Sequence, residues 1–227
     1  MIYRLKTDYG NLPSGIHFSV QSTLPFKMDR KPGPGEYTNN LEEITPENSP
    51  HCKLYKAPLL AEWRMNTPLE ATLIDWEIPD ILVLLEHIYV SNKAKIIIEN
   101  NDPFLHQFWP VEVFDKKGNQ ITGKQFYHMN MRRYVTIENL NLPLIGMDYN
   151  AASSIEEEFI PTIQHITSVR NYIETLPLWK HFHPPHYLVS PLFINEAMFM
   201  ALQQGGVSGI KEYTQLYGKQ GEMVAHV

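Results

Sequence analysis

Between Trp109 and Met131 the hydrophobic pattern has a period of two. Trp109, Val111 and Val113 alternate with polar or turn residues, and Lys116-Lys117-Gly118-Asn119 supplies a turn. Phe126, His128 and Asn130 then alternate with Tyr127, Met129 and Met131 on the return. That pattern predicts a β-hairpin. Tyr134 to Ile137 adds a further strand, and residues 2–6 predict a short one at the start. A second pattern is written twice. His87-Ile88-Tyr89-Val90-Ser91 recurs as His186-Tyr187-Leu188-Val189-Ser190, each copy followed by helix-compatible sequence. The apolar residues suit a strand, and the serine is placed to accept hydrogen bonds from the first free N–H groups of a helix. The first such helix runs from Ser91 to about Asn100. Asn101-Asp102-Pro103 ends it, because proline disfavours helix in the residue before it. The second opens at Pro191, whose fixed φ suits the first helical position, and runs to Gln204 before Gly205-Gly206. Its apolar residues (Leu192, Phe193, Ile194, Ala197, Met198, Phe199, Met200, Ala201) cover nearly the whole circumference, which predicts a largely buried helix.

Residues 155–176 carry two patterns at once. Ile155, Phe159, Ile163, Ile166, Val169, Ile173 and Leu176 have helical spacing, and Ser154 with Glu157 fits a capping box. Pro161 interrupts, and Ile, Thr and Val dominate from 160 to 173, which favours a short helical turn followed by a strand. Between Ala57 and Asp75 the pattern is mixed, with Trp63, Leu69 and Leu73 as core anchors and a short helix. From Gly10 to about Cys52 the chain is rich in Pro, Gly, Asn and Ser, with Phe18 to Val20 as one strand. A loop of that length is a functional arm or a poorly ordered segment. Together these elements predict an α+β fold. A mixed, largely antiparallel sheet carries two strand–Ser-capped-helix units packed against it. Residues 1–56 form an N-terminal strand and Pro/Gly-rich arm, 57–218 one globular unit with that arm, and 219–227 a frayed tail.

Length and an apolar content of 43% favour one large domain with a sizeable core. The net charge of −6 argues against nucleic acid or an anionic membrane as partner and is compatible with a basic protein. Cys52 is the sole cysteine, which excludes an intrachain disulfide, a CxxC redox pair and a Cys-rich zinc site. Met1 to Lys6 lacks the apolar region of a secretory signal, and the apolar run Ile81 to Leu85 is too short to span a bilayer, so a cytoplasmic location is expected.

Several short motifs carry possible chemistry. Gly118 to Gln125 reads G-N-Q-I-T-G-K-Q, with Gln125 where a P-loop has its magnesium-binding hydroxyl. Its glycines lie beside a hairpin turn, whereas a phosphate loop must open a helix. In His181-Phe182-His183-Pro184-Pro185-His186, strand geometry would turn His181 and His183 to the same side, as metal-ligating pairs are. The two prolines make the stretch a stiff loop, and no HExxH or fixed carboxylate accompanies it, so no metal or other cofactor is expected. His87, His128 and His165 read as core-edge histidines. Glu156-Glu157-Glu158 is the densest acidic run: a solvated helix start, or part of an acidic patch that meets a basic partner. Arg132-Arg133 and Asp29-Arg30-Lys31 are too short to make patches. Ser190 lies in Leu-Val-Ser-Pro-Leu, outside a nucleophile elbow, and Pro50-His51-Cys52 carries no catalytic context. No catalytic residue is assigned.

Over residues 78–213 the ordered landmarks resemble immunity protein family eleven of bacterial polymorphic toxin systems. They are Ile78-Pro79-Asp80-Ile81-Leu82, then Tyr89-Val90-Ser91 with its helix, and Phe108-Trp109-Pro110-Val111-Glu112-Val113 with Tyr127-His128-Met129-Asn130. Ile145-Gly146-Met147-Asp148-Tyr149 with Ser153 follows. Tyr187-Leu188-Val189-Ser190 and Gly205-Gly206-Val207-Ser208-Gly209-Ile210 close the series. The sequence departs from the family pattern at His181-Phe182-His183, where a phenylalanine-arginine pair would stand. The resemblance implies a cytoplasmic protein that is not an enzyme and that blocks the cognate toxin domain of a secreted effector by covering it. Glu156, Glu157 and Glu158 are then the residues assigned to toxin binding. Two other readings stand beside it. One is a metal-dependent enzyme using His181, His183 and His186. The other is a structural adaptor whose 10–52 arm wraps a neighbour or a second copy as a homodimer.

Overall fold

Among the described residues two sheets and three helices form, and the element order follows the alternation of period-two and helical patterning. The structure, a computed structural model, describes residues 2–6, 42–44, 52–57, 69–73, 79–84, 87–115, 117, 119–120, 123–137, 163–181, 192–208, 211–213 and 223–226. The strands are β1 (Ile2–Lys6), β2 (Glu42–Ile44), β3 (Cys52–Lys56), β4 (Leu69–Leu73), β5 (Ile81–Leu84), β6 (His87–Ser91), β7 (Gln107–Asp115), β8 (Phe126–Asn130), β9 (Arg133–Ile137), β10 (Leu178–His181), β11 (Leu192–Asn195), β12 (Lys211–Tyr213) and β13 (Met223–His226). The helices are α1 (Asn92–Asn101), α2 (Ile163–Glu174) and α3 (Glu196–Gln204).

The larger sheet has the order β12-β13-β1-β11-β10-β9-β3-β2, and the smaller has β4-β7-β8-β6-β5. Most neighbours are antiparallel. The parallel pairs are β1 with β13, β9 with β10, and β4 with β7. The fold is therefore α+β with largely antiparallel sheets, divided between two sheets where the sequence suggested one. The predicted hairpin is the antiparallel pair β7–β8, with Trp109 opposite His128 and Val111 opposite Phe126. Residues 116 and 118 of its turn lie outside the described residues.

The larger sheet is covered on both faces, and the pleat sorts its side chains between them. Tyr3, Leu5, Leu178, Leu192 and Ile194 share a core with Ile81, Ile88, Val90 and Met129 of the smaller sheet, and with Ala94, Ile98, Met198, Phe199 and Leu202 of α1 and α3. Tyr3 stacks on Phe199 with ring centroids 4.1 Å apart. On the other face Cys52, Val135, Ile137, Trp179 and Phe193 pack against Val169, Ile173 and Leu176 at α2.

The first strand–helix unit forms as the sequence predicts: Ser91 ends β6 and its Oγ accepts from the N–H of Ala94. The second unit differs. Leu192–Asn195 is a strand, and α3 starts at Glu196 with Asn195 as its cap, its Oδ1 accepting from the Met198 N–H at 2.9 Å. Ser190 and the expected strand before it lie outside the described residues. With Leu192, Phe193 and Ile194 in the strand, α3 keeps one buried stripe (Met198, Phe199, Leu202). Met200 is exposed, so the helix is not buried all round. The strand expected within 160–173 is instead the helix α2. Val169 and Ile173, four residues apart, are fully buried, and this packing overrides their preference for strand. The short helix expected in 57–75 is replaced, at residues 69–73, by β4; Trp63 lies outside the described residues. The expected frayed tail contains β13, because pairing with β1 satisfies backbone groups that a frayed end would leave to water. The 10–52 arm is described only at β2 and at the start of β3, which pairs with β9.

Candidate functional site

Helix α1 is held at each end by a buried carboxylate, and the loop that follows it is held by the second of these. Pro103 obliges Asp102 to leave the helical conformation, and Asp102 takes φ −124 and ψ 104 while its N–H still donates to the Ile98 carbonyl at 2.8 Å. Its carboxylate then meets two hydrogen bonds of 2.8 Å from the Arg133 guanidinium, one to each oxygen. The Phe104 N–H donates to Oδ1 at 3.0 Å. Arg133 also donates to the Leu178 carbonyl at 2.7 Å, tying the loop to β10. Its guanidinium carbon lies 4.4 Å from the centroid of the Phe104 ring.

The next side chain inward is His106. Its Nδ1 accepts from the Arg132 N–H at 3.2 Å, so the ring proton sits on Nε2, 3.3 Å from Asp102 Oδ2. Arg132 folds back over the loop. Its Nε donates to the Ala57 carbonyl at 2.9 Å, and one terminal nitrogen donates to the Leu105 carbonyl. Burial drives the His106 pKa down, and the Asp102 carboxylate offsets only part of this. Burial alone would raise the Asp102 carboxyl, but the His106 and Arg133 hydrogen bonds, the Arg133 charge and the Phe104 N–H together hold it below the usual range. The pair superficially matches the carboxylate–imidazole part of a catalytic triad. Both ring nitrogens are engaged, however, and the ring is buried, so His106 has no lone pair to offer a substrate.

At the other end of α1, Asp80 accepts from the Ser208 N–H at 2.7 Å and the Ser208 hydroxyl at 2.9 Å. Lys124 lies 2.9 Å and Lys93 3.5 Å from its oxygens. The Asp80 carbonyl accepts from the Ser91 N–H at 2.7 Å, so one residue joins the start of α1 to the end of α3. Burial raises this carboxyl, and the Ser208, Ser91 and Lys124 contacts more than reverse it, to below the usual range. The near-P-loop motif is thereby explained. Gly123-Lys124-Gln125 leads into the strand β8, Lys124 is paired with Asp80, and Gln125 donates to the Val111 and Phe126 carbonyls.

The remaining sequence candidates divide between buried and undescribed positions. Cys52 is fully buried, and burial pushes its thiol up to about 12, which suppresses the thiolate that nucleophilic chemistry needs. His181 is buried at the end of β10, and His183 and His186 lie outside the described residues. Among the described residues no group of three or more His, Cys, Asp or Glu side chains gathers as a metal site. Glu156, Glu157 and Glu158 lie outside the described residues. His128 is a core histidine stacked beside Trp109 at 5.8 Å, while the side chains of His87 and His165 lie outside the described set. Among the described residues no helix is long and apolar enough to cross a membrane.

Sequence reasoning missed the Asp102–His106–Arg132–Arg133 cluster. The available signal was two consecutive arginines set between Met131 and strand-forming Tyr134-Val135, where an exposed basic patch has no place. It also missed which large apolar side chains stay outside: Leu105 is 64% exposed, Ile96 47% and Met200 42%. Residues 27–215 match the family model described as an immunity protein family, Imm11. No curated protein matches the chain.

Proposed function

The chain belongs to the Imm11 immunity protein family, and from that premise we propose that it binds a cognate toxin domain of a secreted effector and neutralises it by stoichiometric occlusion in the cytoplasm of the producing cell. The observation that carries this reading is the extent of the match, residues 27–215, which takes in the whole smaller sheet and the three described helices. The chemistry of the buried groups agrees with it. The Asp80 and Asp102 carboxylates and the His106 ring hold the fold together through contacts already made inside the chain. An interface of standard size, about 1,600 Å² in total, is enough to cover the mouth of an active site. In this reading Glu156, Glu157 and Glu158 steer a basic toxin surface during encounter, which acts on the rate of association more than on final affinity.

The test is protection together with stoichiometry. Sensitive cells expressing the toxin domain of the effector encoded beside this chain should survive when the chain is co-expressed. Purified toxin activity should fall in proportion to added chain and vanish at one equivalent. Full killing in the presence of soluble chain overturns the proposal. So does complete protection by a small fraction of an equivalent, which would mean turnover.

A further inference from the structure

We propose that the connector from α1 to β7 is a proton-operated latch, shut while the His106 ring is neutral and opened in mild acid, when a proton on Nδ1 expels the ring from between Asp102 and Arg132. The device belongs to the fold and does not depend on which partner the chain binds. A buried neutral histidine is by itself an ordinary core residue. What sets His106 apart is that its two hydrogen bonds and the charges around it suit the neutral ring alone.

Nδ1 accepts from the Arg132 N–H at 3.2 Å, and Nε2 faces Asp102 Oδ2 at 3.3 Å. An imidazole with its one proton on Nε2 satisfies both contacts. The imidazolium carries a proton on each nitrogen, so Nδ1 would set a second donor against the Arg132 N–H, a main-chain group that can only donate. Charge points the same way. Among the described residues the charged groups facing the ring are Asp102 at the end of α1, Arg132 from the link between β8 and β9, and Arg133 from β9. One carboxylate thus already answers two guanidinium groups, and both of its oxygens are bonded to Arg133. Burial lowers the affinity of the ring for a proton by more than Asp102 restores.

Position makes this chemistry a latch. Asp102 to His106 is the whole connection between α1, which ends at Asn101, and β7, which starts at Gln107. Pro103 and Leu105 are exposed, so the connector has little apolar burial of its own and is held by polar ties. Two of those ties need His106 in place: its own bond to the Arg132 N–H, and the bond from an Arg132 terminal nitrogen to the adjoining Leu105 carbonyl. The others do not involve the ring. Asp102 keeps Arg133 and the Phe104 N–H, and Arg132 keeps Ala57 through its Nε and its carbonyl. Expelling the ring therefore frees residues 105 and 106 and leaves both sheets paired. The closed ring binds a proton less tightly than the freed ring. Closure is accordingly at its full strength above about pH 6.5, and opening becomes about tenfold easier for each pH unit below that value.

Amide hydrogen exchange of the full chain between about pH 7.5 and about pH 5, expressed as protection relative to an unstructured peptide at the same pH, tests the latch. The Arg132 and His106 amides should lose about tenfold protection per pH unit below about pH 6.5. The Val135 amide should stay more protected than either by about tenfold or more throughout. Nitrogen-15 shifts of the His106 ring should show a single proton, on Nε2, at neutral pH. His106→Asn and His106→Gln cannot gain a proton, so in both the Arg132 protection should change by less than about twofold over the same range, whatever its level. The slope is read rather than the level, which keeps the test valid where a variant is less stable. A flat Arg132 profile in the parent overturns the latch, as does a ring proton on Nδ1 at neutral pH. A profile as steep as the parent's in either folded variant also overturns it. Equal protection of Arg132 and Val135 at every pH overturns it in favour of unfolding of the whole domain.

Discussion

Replacing Asp102 by alanine should cost about 3–5 kcal/mol of folding stability, the range for stranding one partner of a buried ion pair. The carboxylate is 0% exposed and accepts from both terminal nitrogens of Arg133, from His106 and from the Phe104 N–H. Its loss leaves the Arg133 guanidinium inside the protein with the Leu178 carbonyl and the Phe104 ring as neighbours and, among the described residues, no carboxylate paired with it. The exposed pair Arg170–Glu174 on α2 is the internal standard, and Glu174→Ala should cost below about 1 kcal/mol. Urea unfolding reads both, with the slope unchanged and the midpoint lowered. A domain holds about 5–15 kcal/mol in all, so the first variant sits close to unfolding and the second does not. A double variant, Asp102→Ala with Arg133→Met, removes the stranded charge and should recover roughly half of the loss. The reasoning is refuted if Asp102→Ala behaves like Glu174→Ala, or if the double variant is no more stable than the single one.

Stability should fall at both extremes of pH, and urea midpoints across pH measure it. His106, Asp102 and Asp80 have folded pKa values below their ordinary ones, so in acid the unfolded chain binds more protons. The His106 contribution declines below about pH 6.5 and the carboxylate contributions below about pH 4. Cys52 is raised from 9.0 to about 12 and Tyr89 from 10.0 to about 12, so their contributions are present below their ordinary values and are lost as pH rises toward 12. Cys52→Ala should flatten the early part of that alkaline loss. Asn195→Ala removes the cap of α3 and should cost about 1 kcal/mol by chemical denaturation. Gly206 has φ +65, and Gly206→Ala should cost about 1–2 kcal/mol by the same measurement.

What the sequence made legible was local. The hairpin and the Ser91 cap rest on residues within a few positions of one another, where period and capping chemistry act directly. The sequence pattern starts the last helix at Pro191 behind a Ser190 cap, whereas α3 starts five residues later behind Asn195, a cap residue of the same strength. Leu192-Phe193-Ile194, apolar at every position, fits a helix as well as a strand covered on both faces. Only the packed structure shows that Ile194 serves one core and Phe193 the other. At α2, helical spacing competed with β-branched composition, and burial of Val169 and Ile173 against Cys52 and Trp179 decided it. The polar cluster was invisible for a different reason. Asp102 and Arg133 are separated by the whole β7–β8 hairpin, and no local pattern announces a contact that the return strand brings about.

The chain passes from the smaller sheet at Asn130 to the larger at Arg133, with Met131 and Arg132 between them, both buried. So short a connector leaves no slack for one layer to open while the other stays closed. Amide protons of Met129 and Val135 should therefore exchange with solvent at one common free energy. The two layers would then melt as a single cooperative unit across a junction where a divided protein would have placed its hinge.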